Sequence, residues 1–115
     1  MFDFEKLVAY QKAKEVNQKI QKILIDKKIN AFLRDQLYRA SVSMVINIAE
    51  GTGKLSKQDR KNFYVISRGS VFECASLLEL ICDENIITNK ELVNLKSNLE
   101  EVSRLLSGLI NSFTK

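Results

Sequence analysis

Residues 47–61, "NIAEGTGKLSKQDRK", decide how the chain is read. An apolar run at helical spacing reaches two glycines, Gly51 and Gly53, and four cations follow: Lys54, Lys57, Arg60 and Lys61. The stretch is either a phosphate-binding loop or the end of one helix and the start of the next. The P-loop pattern G-x-x-x-x-G-K-[ST] fails. With Gly53-Lys54 as its GK pair, the first glycine falls on Ile48 and the hydroxyl position on Leu55. A P-loop also follows a strand, and helix-patterned sequence precedes this stretch. As helix punctuation, Gly51 supplies the left-handed residue that finishes a helix. Ser56, three residues before Asp59, caps the next one.

Outward from this turn the chain divides into four helices. Asn30 caps the second, over Ala31 to Glu50, with an apolar stripe of Leu33, Leu37, Ala40, Met44, Val45 and Ile48. The third follows Ser56, carries Phe63, Ile66, Ser70, Cys74, Leu77 and Ile81, and ends near Glu84 or Asn85. The first runs from Phe4 to Asp26 behind an Asp3 cap, with Leu7, Tyr10, Ala13, Val16, Ile20, Ile23 and Leu24 on one face and Lys12, Lys19 and Lys22 on the other. The fourth opens with a capping box, Thr88 and Glu91, and a staple, Ile87 and Leu92. Leu95, Leu99, Val102, Leu106, Leu109 and Phe113 continue it at near-heptad spacing. Short connections between long helices force antiparallel neighbours. The expected fold is all-α, an antiparallel up-down-up-down four-helix bundle, with residues 1–115 as one domain.

Composition agrees. The chain has 115 residues, no proline and four glycines, so helix breakers are scarce. No apolar run approaches the roughly 20 residues of a membrane span, and the start lacks a signal-peptide pattern. A cytoplasmic protein without membrane contact is expected. Cys74 and Cys82 lie about 12 Å apart along one helix, too far for a disulfide, and read as small core residues. Histidine is absent, which removes imidazole-based triads and metal sites. No cofactor, metal or enzymatic activity is expected.

Asn47 and Ser70 continue core-facing rows, and buried polar groups need partners. If helices two and three pair about position 53 or 54, Arg39 comes level with Arg68 and Gln36 with Val71. Gln36, Arg39, Ser70 and Glu73 then form one polar cluster, with Gly69 allowing close approach, while Asn47 and Glu50 lie level with Arg60 and Lys57. Such a cluster fixes register.

"FEKLVAYQKAKEV", "QLYRASVSMVINIAEGTGKLS" and "FYVISRGSVFECASLLEL" together resemble the four-helix bundle family encoded in 23S rRNA intervening sequences. Its middle motif, Q-L-x-R-A-x-x-S-[IV]-x-x-N-I-A-E-G, falls on Gln36, Leu37, Arg39, Ala40, Ser43, Asn47, Ile48, Ala49, Glu50 and Gly51, with Met44 in the Ile/Val position. G-S-x-x-E falls on Gly69, Ser70 and Glu73; Cys74 replaces a common Leu and Arg68 a common Ala. The resemblance covers nearly the whole chain. It implies a four-helix bundle and no enzymatic activity. It also implies a homo-oligomer: related proteins, including accessory variability proteins of diversity-generating retroelements, form homopentameric rings basic enough to bind nucleic acid.

The charge supports a nucleic-acid partner. Net charge is +4 and pI about 9.1. Residues 1–30 carry seven Lys against four acids, and residues 54–61 four cations against Asp59. Lys12, Lys19, Lys22, Lys54, Lys57, Arg60 and Lys61 are the candidate contacts for structured RNA or DNA, through phosphate, since few aromatics are free to stack. The alternatives are a solvated turn, and a protein–protein adaptor for a nucleic-acid enzyme such as a reverse transcriptase.

Overall fold

The structure, a computed structural model, describes residues 1–113. Four α-helices follow a 3₁₀ turn at Asp3–Lys6: α1 (Val8–Asp26), α2 (Ala31–Thr52), α3 (Lys57–Asp83) and α4 (Asn89–Ser112). Each packs on its neighbours in sequence, and α1 also packs on α4; α1 and α3 stand diagonally opposite, as do α2 and α4. The result is the expected antiparallel bundle, a rod of 43 × 23 × 22 Å. Its length is that of α3, whose 27 residues span about 40 Å at 1.5 Å each.

Local capping chemistry places most boundaries. Asn30, Ser56 and Thr88 each accept a hydrogen bond from a first-turn N–H, of Leu33, Asp59 and Glu91 respectively. Glu91 also accepts from the Thr88 N–H, closing the box. That backbone bond, aided by the Thr88 hydroxyl and by Lys27, holds the Glu91 carboxyl below its ordinary value. Arg34 closes the end of α1: its guanidinium donates to the carbonyls of Leu24 and Lys27.

Two boundaries differ from expectation. Asp3 caps no α-helix. It opens the 3₁₀ turn, Leu7 is extended, and α1 starts at Val8. The turn is held by the Glu5 carboxylate, which accepts from the Phe2 N–H at 2.7 Å, and by Phe4 packing edge-on to Tyr10. Gly51 is not left-handed either; no described glycine has positive φ. It lies inside α2, which continues to Thr52. The left-handed residue is Asn85 (φ 61°), which ends α3 as the Ile86 N–H returns to the Ile81 carbonyl.

Gly51 serves close packing instead. A Cβ there would lie 2.9 Å from the Phe63 Cβ, 3.0 Å from the Tyr64 ring and 3.2 Å from the Arg60 carbonyl. Gly69, expected to do this, opens onto space, with nothing within 4 Å of an added Cβ. The core follows the predicted stripes in α1, α2 and α4 and adds Ala9 and Ser41. In α3 the stripe is displaced at its start: Tyr64 and Ser67 are buried, while Ile66 is 51% exposed and Phe63 half-buried. Cys74 is buried as expected; Cys82 is half-buried, with its thiol on the Asn89 side-chain oxygen. At the far end of α4, Phe113 stacks on Tyr64, and the Tyr64 and Thr52 hydroxyls bond at 2.8 Å. Both ends of the described chain therefore lie beside the α2–α3 turn.

Gly51→Ala lowers the urea midpoint, because overpacking of about 1–3 kcal/mol outweighs the roughly 1 kcal/mol gain in helix propensity. Gly53→Ala, whose Cβ meets nothing nearer than 3.6 Å, leaves the midpoint nearly unchanged. Thiol labelling at pH 8 separates the cysteines. Burial, with Glu73 adding to it, pushes the Cys74 thiol up to about 12, so Cys74 stays unlabelled until the protein unfolds, while Cys82 reacts in the folded state.

Candidate nucleic-acid interface

The turn between α2 and α3 is compact and braced. The Gly53 N–H returns to the Ala49 and Glu50 carbonyls and the Lys54 N–H to the Gly51 carbonyl. Across the turn, Arg60 Nε donates to the Lys54 carbonyl at 2.7 Å. The Lys54 ammonium lies 5.0 Å from the centre of the Phe63 ring, a cation–π contact that leaves its charge available. Lys57 is exposed and Lys61 half-buried. Among the described residues none of the four cations forms an ion pair. Leu55, at the tip, is 100% exposed. Beneath the tip α3 begins, and the first N–H groups of a helix have no intrahelical partner. The turn thus combines unpaired cations with the positive end of a helix dipole.

The α1 lysines are differently placed. Lys12 pairs with Glu101 at 3.7 Å and Glu15 at 3.9 Å. Lys19 donates to Asn98 at 2.8 Å and Asn94 at 3.4 Å. Lys22 lines a shallow hollow with Asp26 and Glu91. These three stand along the α1–α4 seam, whereas the turn joins α2 to α3. The seven predicted cations therefore form two regions rather than one, and acids of α1 and α4 offset the first.

The predicted polar cluster is reorganised. Ser70 faces Ser43, their hydroxyls 2.9 Å apart, and Asn47 donates to the Ser43 hydroxyl at 2.9 Å and to its carbonyl at 2.8 Å. Arg39 is on the surface, paired with Asp35 at 3.0 Å. Gln36, Glu50 and Glu73 make no side-chain hydrogen bond or ion pair among the described residues, and Glu50 and Glu73 are exposed. Arg68 turns to α4, bonds the Ser107 hydroxyl at 3.1 Å and covers the Phe72 ring at 4.7 Å. The cause is the register. Because α2 runs beyond Glu50 and the turn lies over residues 53–56, the two helices pair further along α3 than a turn at 53 or 54 implies.

Small hydroxyls set that pairing. Ser67 Oγ, buried, donates to the Met44 carbonyl at 2.7 Å, and Ser41 ties α2 to Asn17 of α1 at 2.7 Å. Among the described residues no buried side-chain polar atom lacks a partner. Ser41, Ser67 and Arg34 escaped the sequence reading. The signal for the serines was present, as small residues at core spacing on facing helices.

A sequence profile of the 23S rRNA-intervening sequence proteins matches residues 5–108. The fold is similar to a crystal structure of a protein of unknown function from the S23 ribosomal protein family of Bacteroides thetaiotaomicron. The TM-score is 0.83 and the identity 24%, over 90% of this chain and 98% of that one. Among curated proteins none matches. No described helix is long and apolar enough to cross a membrane. With a match that spans all four helices and a bundle of the same shape, the chain belongs to the 23S rRNA-intervening sequence protein family.

Proposed function

We propose that this protein acts without catalysis, as a homo-oligomeric ring that binds structured RNA or duplex DNA mainly through phosphate. A pentamer is the size that the family resemblance suggests. The observation that carries the reading is the α2–α3 turn. Among the described residues its four cations have no acidic partner, its backbone is braced, and it sits over the opening of α3. A phosphate meets little reorganisation at such a site. Repetition of the turn around a ring raises a weak contact to a strong one through effective concentration. The lysines along α1 contribute less, because Lys12 is paired and Lys19 is held by α4.

The test is a salt titration of the purified protein against a structured RNA and a DNA duplex. It runs beside a Lys54→Ala, Lys57→Ala, Lys61→Ala variant that keeps the Arg60 brace. Log affinity should fall linearly with log salt. The variant should lose affinity on every sequence alike and flatten the slope by about 2–3 units per engaged turn. Wild-type protein that binds neither ligand at low salt overturns the reading and directs the search to a protein partner.

A further inference from the structure

Two sides of the rod carry rows of side chains that are mostly exposed, with Val42 and Ser107 half-buried. On α2, Phe32 and Ile46 are 70% and 48% exposed. Asp35, Arg39 and Val42 lie between them, at steps of three and four residues that keep all five in one line. The other row is on α4: Val93, Ser97, Glu100, Arg104 and Ser107, at steps of four and three. Val93 is 67% exposed, and Glu100 and Arg104 line the groove between α3 and α4 without an ion pair among the described residues. That groove has an apolar floor, with Val71, Ala75 and Leu99. A separate hollow between the same two helices is lined by Arg68, Ser107 and Ile110.

Two glycines of α3 and α4 have no close neighbour among the described residues. Gly69 and Gly108 both lie within helices, and a Cβ on either meets nothing within 4 Å. Each is a poorer helix former than Ala. Close approach of something from outside accounts for both. The Arg68–Ser107 bond puts Gly69 and Gly108 at nearly the same level.

We propose that α2 of one copy lies antiparallel against α4 of a second copy, in its α3–α4 groove. This inference rests on the homo-oligomeric part of the reading above. The occupant is a second copy because the two rows match in charge and spacing when antiparallel. Asp35 comes level with Arg104, and Arg39 with Glu100. The same register brings Val42 to Ser97, Ile46 to Val93, and Phe32 to Ser107, which lines the hollow. Parallel packing would instead set Asp35 against Glu100 and Arg39 against Arg104. Since α2 and α4 stand diagonally in the bundle, every copy can use both surfaces at once. Such a contact joins unlike faces, and unlike-face contacts close into rings when the rotation permits.

The experiment is a charge swap read by sedimentation velocity across protein concentration, with helicity followed by circular dichroism. The set is wild type, Arg39→Glu, Glu100→Arg and the double variant. Both sites of the swap are on the surface, so each variant should keep wild-type helicity. Wild type should be oligomeric. Each single reversal should weaken assembly at least tenfold, and the double variant should recover most of it. Oligomeric wild type with indifferent single variants, or a double variant no better than the singles, overturns the register and leaves the oligomeric reading intact. Monomeric wild type at all concentrations overturns both. A covalent arm is independent of charge: Ile46→Cys with Val93→Cys, on a Cys82→Ser background, should give an oxidation ladder of linked chains, and its absence from an oligomeric sample overturns the register.

Discussion

The close approach of α2 and α3 is the constraint on which the rest of the molecule depends. Gly51 leaves no room for a methyl group between α2 and the Phe63–Tyr64 segment. One turn and two turns further from the connection, Ser67 bonds the Met44 carbonyl and Ser70 bonds Ser43. A side-chain hydroxyl on a main-chain carbonyl across an interface has one workable register, because a shift by a residue strands a buried donor. These contacts fix how far the turn at residues 53–56 protrudes and which side of α3 faces outward. The cations, the exposed leucine and the groove with α4 all take their positions from that pairing.

How far the architecture can be read from residues alone follows from the range of each interaction. Ser56 and Thr88 act within one turn of their own helices, and their roles are legible from three-residue spacing. The α1 and α4 stripes are legible because their opposite faces are polar. The opening of α3 is ambiguous. Phe63, Tyr64, Val65 and Ile66 are consecutive and apolar or aromatic, so periodicity cannot choose between faces, and burial selects Tyr64 and Ser67. The polar cluster needed a register accurate to a residue. An error of less than two turns in the hairpin exchanges Arg39 and Gln36 for Ser43. Gly51 misled for a different reason: a glycine at the end of a helical pattern signals either a left-handed cap or a tight contact, and only the partner helix distinguishes them.

Charge behaves likewise. Seven Lys in the first 30 residues read as a basic surface, yet α4 answers two of them, Lys12 with Glu101 and Lys19 with Asn94 and Asn98. Exposed pairs of this kind contribute at most about 1 kcal/mol each to stability. Their main effect is to lower the local potential. Among the described residues no acid pairs with the cations of the turn after α2, and they keep their field.

The placement of both ends of the described residues beside that same turn has a practical side in protein engineering. Three of the four helix-to-helix connections of a cyclic bundle exist, and the missing one would join the end of α4 to the start of α1 across the pole that holds Leu55. A linker there makes the backbone circular, after which the chain can be reopened at the α1–α2 or α3–α4 connection with all helix contacts retained. Moving the ends to the opposite pole by permutation would leave the turn uncovered, with the helical scaffold that supports it unchanged.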